Sequence, residues 1–223
     1  MFVGVDGCRT GWAALALSDE GVLWVRHFAD FSDVITAIPE AACVAVDMPV
    51  GLVDDVDRDA DRAARDYLKG QASSVFGAPV RSVLAAPDNY EEASRLSRAA
   101  SGKGLTRQAH ALVRKIEQVD LYADDARVHE VHPEVTFRIM NGGSQLPRKK
   151  SWQGFWTRLQ LLRDQGIELP KTFEGAETIP VDDIVDAAAA AWSARRVAKG
   201  QARRFPESSE QRDRSGRPIA IWA

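Results

Sequence analysis

The sequence predicts an α/β fold built on a mixed five-stranded sheet flanked by helices. Three features predict it. Three short apolar strands with tight turns between them open the chain, a short helix follows, and a wholly apolar fourth strand comes next. A strand without polar alternation suits the buried centre of a parallel arrangement, so the fourth strand is expected beside the first.

Residues 2–5 read as the first strand, ending at Asp6-Gly7. Residues 12–17 and 22–28 read as the second and third. The Ser18-Asp19-Glu20-Gly21 turn between them suggests an antiparallel hairpin. Residues 30–38 form a short helix with Pro39 just beyond its end, and residues 42–46 form the fourth strand. Three antiparallel strands, then a crossover to a strand parallel to the first, is the ribonuclease H-like order. A doubly wound fold would alternate strand and helix from the start.

Residues 52–120 are charged, Ala-rich and mostly helical, with turns near Gly70, Gly77-Ala78-Pro79 and Gly102-Lys103-Gly104. They are poor in large apolar side chains for a core of their own. They therefore read as a helical insertion within a single domain spanning 1–223. Residues 127–135 return as a strand. Ser151 is placed to cap a helix over 152–165, ended by Gly166, with Phe155, Leu159 and Leu162 at helical spacing. Residues 182–199 form the last long helix, and 218–222 read as a final edge strand.

Hydrophobic residues at 45% and charged residues at 27% argue against global disorder. The net charge of -3 means that a nucleic-acid partner must be met by a local basic patch, not by the overall field. Cys8 and Cys43 form no CxxC and read as buried free thiols. No basic and apolar leader precedes the first strand, and no apolar run is long enough for a membrane, so a cytoplasmic location is expected.

The chemistry-bearing residues are acidic. Asp6 ends the first strand and Asp47 the fourth. If those strands are parallel neighbours, both carboxylates emerge at one carboxyl edge, where open α/β sheets place ligands. Two such carboxylates cannot both stay ionised without a cation, and Mg²⁺ or Mn²⁺ prefers oxygen donors. Along 127–135 read as a strand, Glu130, His132 and Glu134 share one face, and His132 reads as a positioning or proton-handling group. The last helix opens Asp182-Asp183-Ile184-Val185-Asp186. The macrodipole explains Asp182 and Asp183. Asp186 precedes five alanines, which permit the close packing that brings it toward the strand ends.

The runs Gly4-Val5-Asp6-Gly7-Cys8-Arg9 with Gly11-Trp12, Val46-Asp47-Met48-Pro49-Val50-Gly51-Leu52, and Ser73-Ser74-Val75-Phe76 with Pro79 and Arg81 stand in one order with two more. These are Glu130-Val131-His132-Pro133-Glu134 and Asp182-Asp183 with Asp186-Ala187. Together they resemble domain-of-unknown-function family 429 over nearly the whole chain. Thr10 stands where many members carry a second glycine. The resemblance implies a predicted nuclease of the ribonuclease H-like superfamily. Asp6, Asp47 and Asp186 then look like metal ligands, and Glu134 like a further site residue peculiar to the family.

On that reading two Mg²⁺ or Mn²⁺ ions, held by Asp6, Asp47, Asp186 and Glu134, act on the phosphodiester of a nucleic acid or small molecule. Asp183 orients an ion or a water, and Arg9 contacts a phosphate oxygen. Arg148, Lys149 and Lys150, just before a helix N-terminus, bind phosphate. Arg195, Arg196, Lys199, Arg203 and Arg204 offer a basic patch. Trp152 and Trp156 read as core or partner contacts rather than as a base-stacking platform. Two other functions remain open. One is an actin-like nucleotide-binding phosphotransferase, although residues 101–106 miss the Walker spacing. The other is a non-catalytic module binding nucleic acid or protein.

Overall fold

The computed structural model describes residues 1–175 and 177–223. Two compact units emerge from the packing. One is Met1–Asp47 with Arg127–Arg203 and Trp222–Ala223, and the other is Met48–Ala126 with Arg204–Ile221.

The first unit holds the five-stranded sheet. β1 (Phe2–Cys8) pairs antiparallel with β2 (Gly11–Leu17), and β2 pairs antiparallel with β3 (Val22–Phe28). α1 (Phe31–Ala37) crosses over, burying Phe31 and Val34, with the Phe31 ring 5.1 Å from that of Trp12. β4 (Cys43–Val46) then runs parallel to β1, and β5 (Val128–Glu130) parallel to β4. The order is β3-β2-β1-β4-β5, so the expected mixed sheet is present. β2 and β4 are buried at every position, as central strands without polar alternation should be. Cys8 and Cys43 are buried and free.

The strand expected over 127–135 is shorter. It stops at Glu130, and α5 (Pro133–Met140) begins with Pro133 in its first turn. Proline cannot donate to a ladder but is pre-set for a helix start, so Pro133 ends one element and opens the other. α6 (Trp152–Asp164) is capped as expected, with Ser151 Oγ accepting from the Gly154 amide at 3.0 Å.

α7 (Val181–Ala198) lies on the sheet with Ala187 to Ala191 fully buried. Its approach is backbone to backbone. A Cβ added to Gly4 of β1 would stand 2.0 Å from the Ala191 nitrogen and 2.1 Å from the Ala187 oxygen. Glycine on the strand and alanines on the helix thus remove the side-chain layer that normally separates the two. The surrounding core is Phe2, Leu15, Leu17, Ala45, Phe137, Leu162 and the α7 alanines.

The second unit is helical: α2 (Asp59–Tyr67), 3₁₀ turns at Ala72–Ser74 and Arg81–Ala85, α3 (Tyr90–Ser101) and α4 (Arg107–Asp120). It does gather an apolar cluster, made mostly of small side chains: Val80, Val83, Ala86, Ala93, Leu105, Ala109 and Val113. The final segment does not extend the large sheet. β6 (Arg204–Phe205) and β7 (Ile221–Trp222) form a separate two-stranded sheet, and Trp222 makes one isolated bridge to Val131. Among the described residues no helix is long and apolar enough to cross a membrane.

Candidate functional site

The parallel β1/β4 register sets Val5 against Val46, and the Asp47 amide donates to the Val5 carbonyl at 2.9 Å. Asp6 and Asp47 therefore stand side by side just past the last β1/β4 pair, although β1 runs on to Cys8 and Asp6, expected at its end, lies within the strand opposite Ala13 of β2. Strand alternation puts Asp6 on the face that Gly4 turns to α7. Asp186 lies on that helix immediately before the alanines that touch Gly4, so the close packing carries it to the same edge.

Asp6 and Asp186 are buried, at 8% and 3% exposure, and Asp47 is half-buried. Burial first, then the charges of Asp47, Asp186 and Asp183, pushes the Asp6 carboxyl well above its ordinary range. Burial and the Asp186 charge do the same to Asp47, with Glu130 and Glu134 adding to it. Asp186 is also raised by burial, against the opposing pull of Lys149. The Asp6 carboxylate accepts from the Gly7 amide at 2.8 Å.

Lys149 is the compensating charge. Its Nζ donates to Asp186 Oδ2 at 2.8 Å. Burial lowers the ammonium pKa, yet Asp186, Asp6 and Asp47 hold it above lysine's ordinary 10.5. Lys149, expected among the phosphate-binding cations before α6, instead turns to the acids. The backbone just before it lies against α6: a Cβ on Gly154 would meet the Arg148 oxygen at 1.9 Å. Lys149→Ala is expected to destabilise the protein by about 1 kcal/mol at pH 7. The loss should shrink toward pH 4 as the carboxyls protonate, which urea denaturation at the two pH values will check. Lysine is charged in folded and unfolded chains across this range, so the pH dependence comes from the acids.

Glu134 sits in the first turn of α5, not on a strand face with Glu130 and His132. Its carboxylate is taken by Arg158 of α6, whose Nη2 donates at 2.8 and 2.7 Å to the two oxygens and whose Nε donates at 3.2 Å. The remaining Arg158 nitrogen donates to the carbonyls of Pro147 and Gly154 at 3.0 and 2.9 Å. Arg158 is 1% exposed. Sequence reasoning passed over it because an arginine on an amphipathic helix reads as a solvated one. The available signal was its place four residues from both Gly154 and Leu162, which form the buried row.

Glu130 is buried at the end of β5, in register with Val46, and its charge reaches Asp47. His132 is half-buried at the α5 N-cap position, and Asp183 is half-buried in the first turn of α7. Arg9 is exposed at the β1–β2 turn, and Arg148 and Lys150 are exposed. The other basic cluster is spent locally: Arg195 donates to the Gln165 carbonyl at 2.9 Å, Arg196 lies over Trp192, and Lys199 pairs with Asp19 at 2.5 Å.

Among the described residues no group of three Asp, Glu, His or Cys side chains is arranged to hold a metal ion. Asp186 is closed on Lys149 and Glu134 on Arg158. By chemistry alone, not by their present arrangement, the donors are of the kind a hard cation takes. Asp6, Asp47 and Asp186 are all carboxylates, and each has a pKa raised by a burial that a divalent charge would offset. No curated protein and no solved structure matches the chain. A family model does match, over residues 4–211, and the chain belongs to that family, described as protein of unknown function (DUF429).

Proposed function

We infer that this protein is a divalent-metal-dependent nuclease of ribonuclease H-like architecture, hydrolysing phosphodiester bonds at the carboxyl edge of its sheet. The observation that carries this reading is the convergence of Asp6, Asp47 and Asp186 from two adjacent parallel strands and the helix packed on them, with all three carboxyls raised. The strand order β3-β2-β1-β4-β5 supports the architecture.

Asp6, Asp47 and Asp186 are the residues that would hold Mg²⁺ or Mn²⁺. When bound, such ions supply Lewis acidity toward the phosphate and acidify a water. The chain's own groups do the rest. Lys149 keeps Asp186 in place, and Arg158 holds Glu134 in a fixed orientation close enough to add negative potential at Asp47 and Asp186. Asp183 stands one helical turn before Asp186 and adds charge at Asp6. Arg9, Arg148 and Lys150 are exposed cations that attract an anionic substrate, a nucleic acid or a small phosphodiester.

The test is cleavage of labelled single-stranded and duplex DNA and RNA, and of a chromogenic phosphodiester, in Mg²⁺ and in Mn²⁺. Wild type is expected to cut at least one. Asp47→Asn is expected to lose about 100- to 1,000-fold, the scale of removing one electrostatic stabiliser. A folded wild type that cuts none of them at high enzyme concentration overturns the reading and favours a non-catalytic binding module.

A further inference from the structure

Trp152 and Trp156, expected in the core or against a partner, are exposed at 75% and 49%. Their helical phase explains it. α6 buries Gly154, Arg158 and Leu162, and each tryptophan stands two residues before one of the first two, about 200° around the helix. Of the apolar residues expected at helical spacing, Leu162 belongs to that buried row, while Phe155 and Leu159 flank it and are half-buried. The two indoles stack on each other with ring centroids 5.6 Å apart and planes 27° apart. Arg163 reaches over Trp156, 5.8 Å from the ring centroid.

Exposed tryptophan is costly to leave in water, and two stacked side by side make a flat apolar platform. The segment leading into it carries Arg148 and Lys150, both exposed and with no ion pair among the described residues. Between them Lys149 reaches the carboxylates. A flat π-face with Arg163 over it, entered by a segment that carries two exposed cations, matches one chemistry: unpaired bases on the indoles and their phosphates on the basic side chains. A duplex hides its base faces, and an acidic peptide has nothing flat to stack.

We propose that the Trp152–Trp156 face of α6, with Arg148, Lys150 and Arg163, binds single-stranded nucleic acid. The substrate class is thus a strand with unpaired bases, and this part of the inference rests on the nuclease reading.

The probe is a fluorescein-labelled oligonucleotide of about twelve nucleotides, single-stranded or annealed, followed by fluorescence anisotropy in EDTA at about 50 mM salt. Wild type is expected to bind the single strand about tenfold or more tightly than the duplex. Trp152→Ala/Trp156→Ala is expected to weaken single-strand binding about tenfold or more, while the double Phe variant retains most of it. Arg148→Ala/Lys150→Ala is expected to flatten the salt dependence. Both tryptophans are exposed, so the variants should melt as wild type does. Wild-type affinity in the double Ala variant overturns the proposal, and so does failure of wild type to bind any single strand. A change confined to self-association, read by light scattering, also overturns it, because the face would then join copies of the chain. Tryptophan-dependent binding without cleavage leaves this surface standing and removes the nuclease. Cleavage with unchanged KM in the double Ala variant does the reverse.

Discussion

Arg158→Ala is expected to cost about 3–5 kcal/mol of folding stability, a large share of what a domain of this kind has in total. The guanidinium is buried, grips both oxygens of Glu134, and donates to the carbonyls of Pro147 and Gly154. Its removal leaves a carboxylate with little access to water and no counter-charge, beside two carbonyls without donors. The size of the loss comes from that stranded charge and not from the worth of the pair. Removing both members should therefore recover most of it: Arg158→Met/Glu134→Met is expected to lie within about 1 kcal/mol of wild type. Urea denaturation of the four proteins completes the cycle. A loss below about 1 kcal/mol in Arg158→Ala would mean that water reaches Glu134 and the pair is not a buried one. The variant also frees residues 147 to 154, so Lys149 is expected to lose its fixed place on Asp186.

Asp6→Asn is expected to do the opposite, stabilising the metal-free protein by about 0.5–2 kcal/mol at pH 7, the usual return from relaxing a functional site. The sign follows from proton linkage. The folded-state pKa of Asp6 lies above its unfolded value of 3.8, raised by burial and by the neighbouring acids. Across that interval the folded chain holds more protons than the unfolded one, so stability falls as pH climbs from 3.8 through the raised value. Asp47 and Asp186 are raised too and tilt the curve the same way. Asparagine carries no charge to bury, and its oxygen can still accept from the Gly7 amide. The advantage of the variant should vanish toward pH 4, where wild-type Asp6 is protonated. Mn²⁺ should raise the wild-type melting temperature at pH 7 and leave Asp6→Asn nearly unmoved. A variant less stable than wild type at pH 7 would show that the carboxylate is anchored by its hydrogen bonds and is not strained by its neighbours.

The part of this molecule written locally was legible in the chain. Apolar runs, the Ser18–Gly21 turn and the fully apolar 43–46 segment specify three antiparallel strands and a parallel fourth, because period and punctuation act over a few residues. Asp47 follows directly from that order, since it comes just after the fourth strand, and Asp6 lies beside it because the first strand's pairing with the fourth stops at Val5, even though β1 itself continues to Cys8. Asp186 was readable from the alanines after it, although the strand glycine they pack against, Gly4, lies far away in sequence.

What tertiary structure alone decided is where the charges go. Pro133 turned an expected strand into a helix start, which took Glu134 off the Glu130 and His132 face and handed it to Arg158 from another helix. Lys149 could be placed at a helix N-terminus from its position, but its partner Asp186 lies on another helix that only the fold brings beside it. Trp152 and Trp156 have the composition of a core and the phase of a surface, and only the burial of Gly154 and Arg158 shows which governs. Hydrophobic period is a property of one segment, whereas a counter-ion is a property of whichever segment folds up beside it. The sequence by itself therefore determined the sheet and the carboxylates at its edge, and the tertiary structure chose the cations that face them.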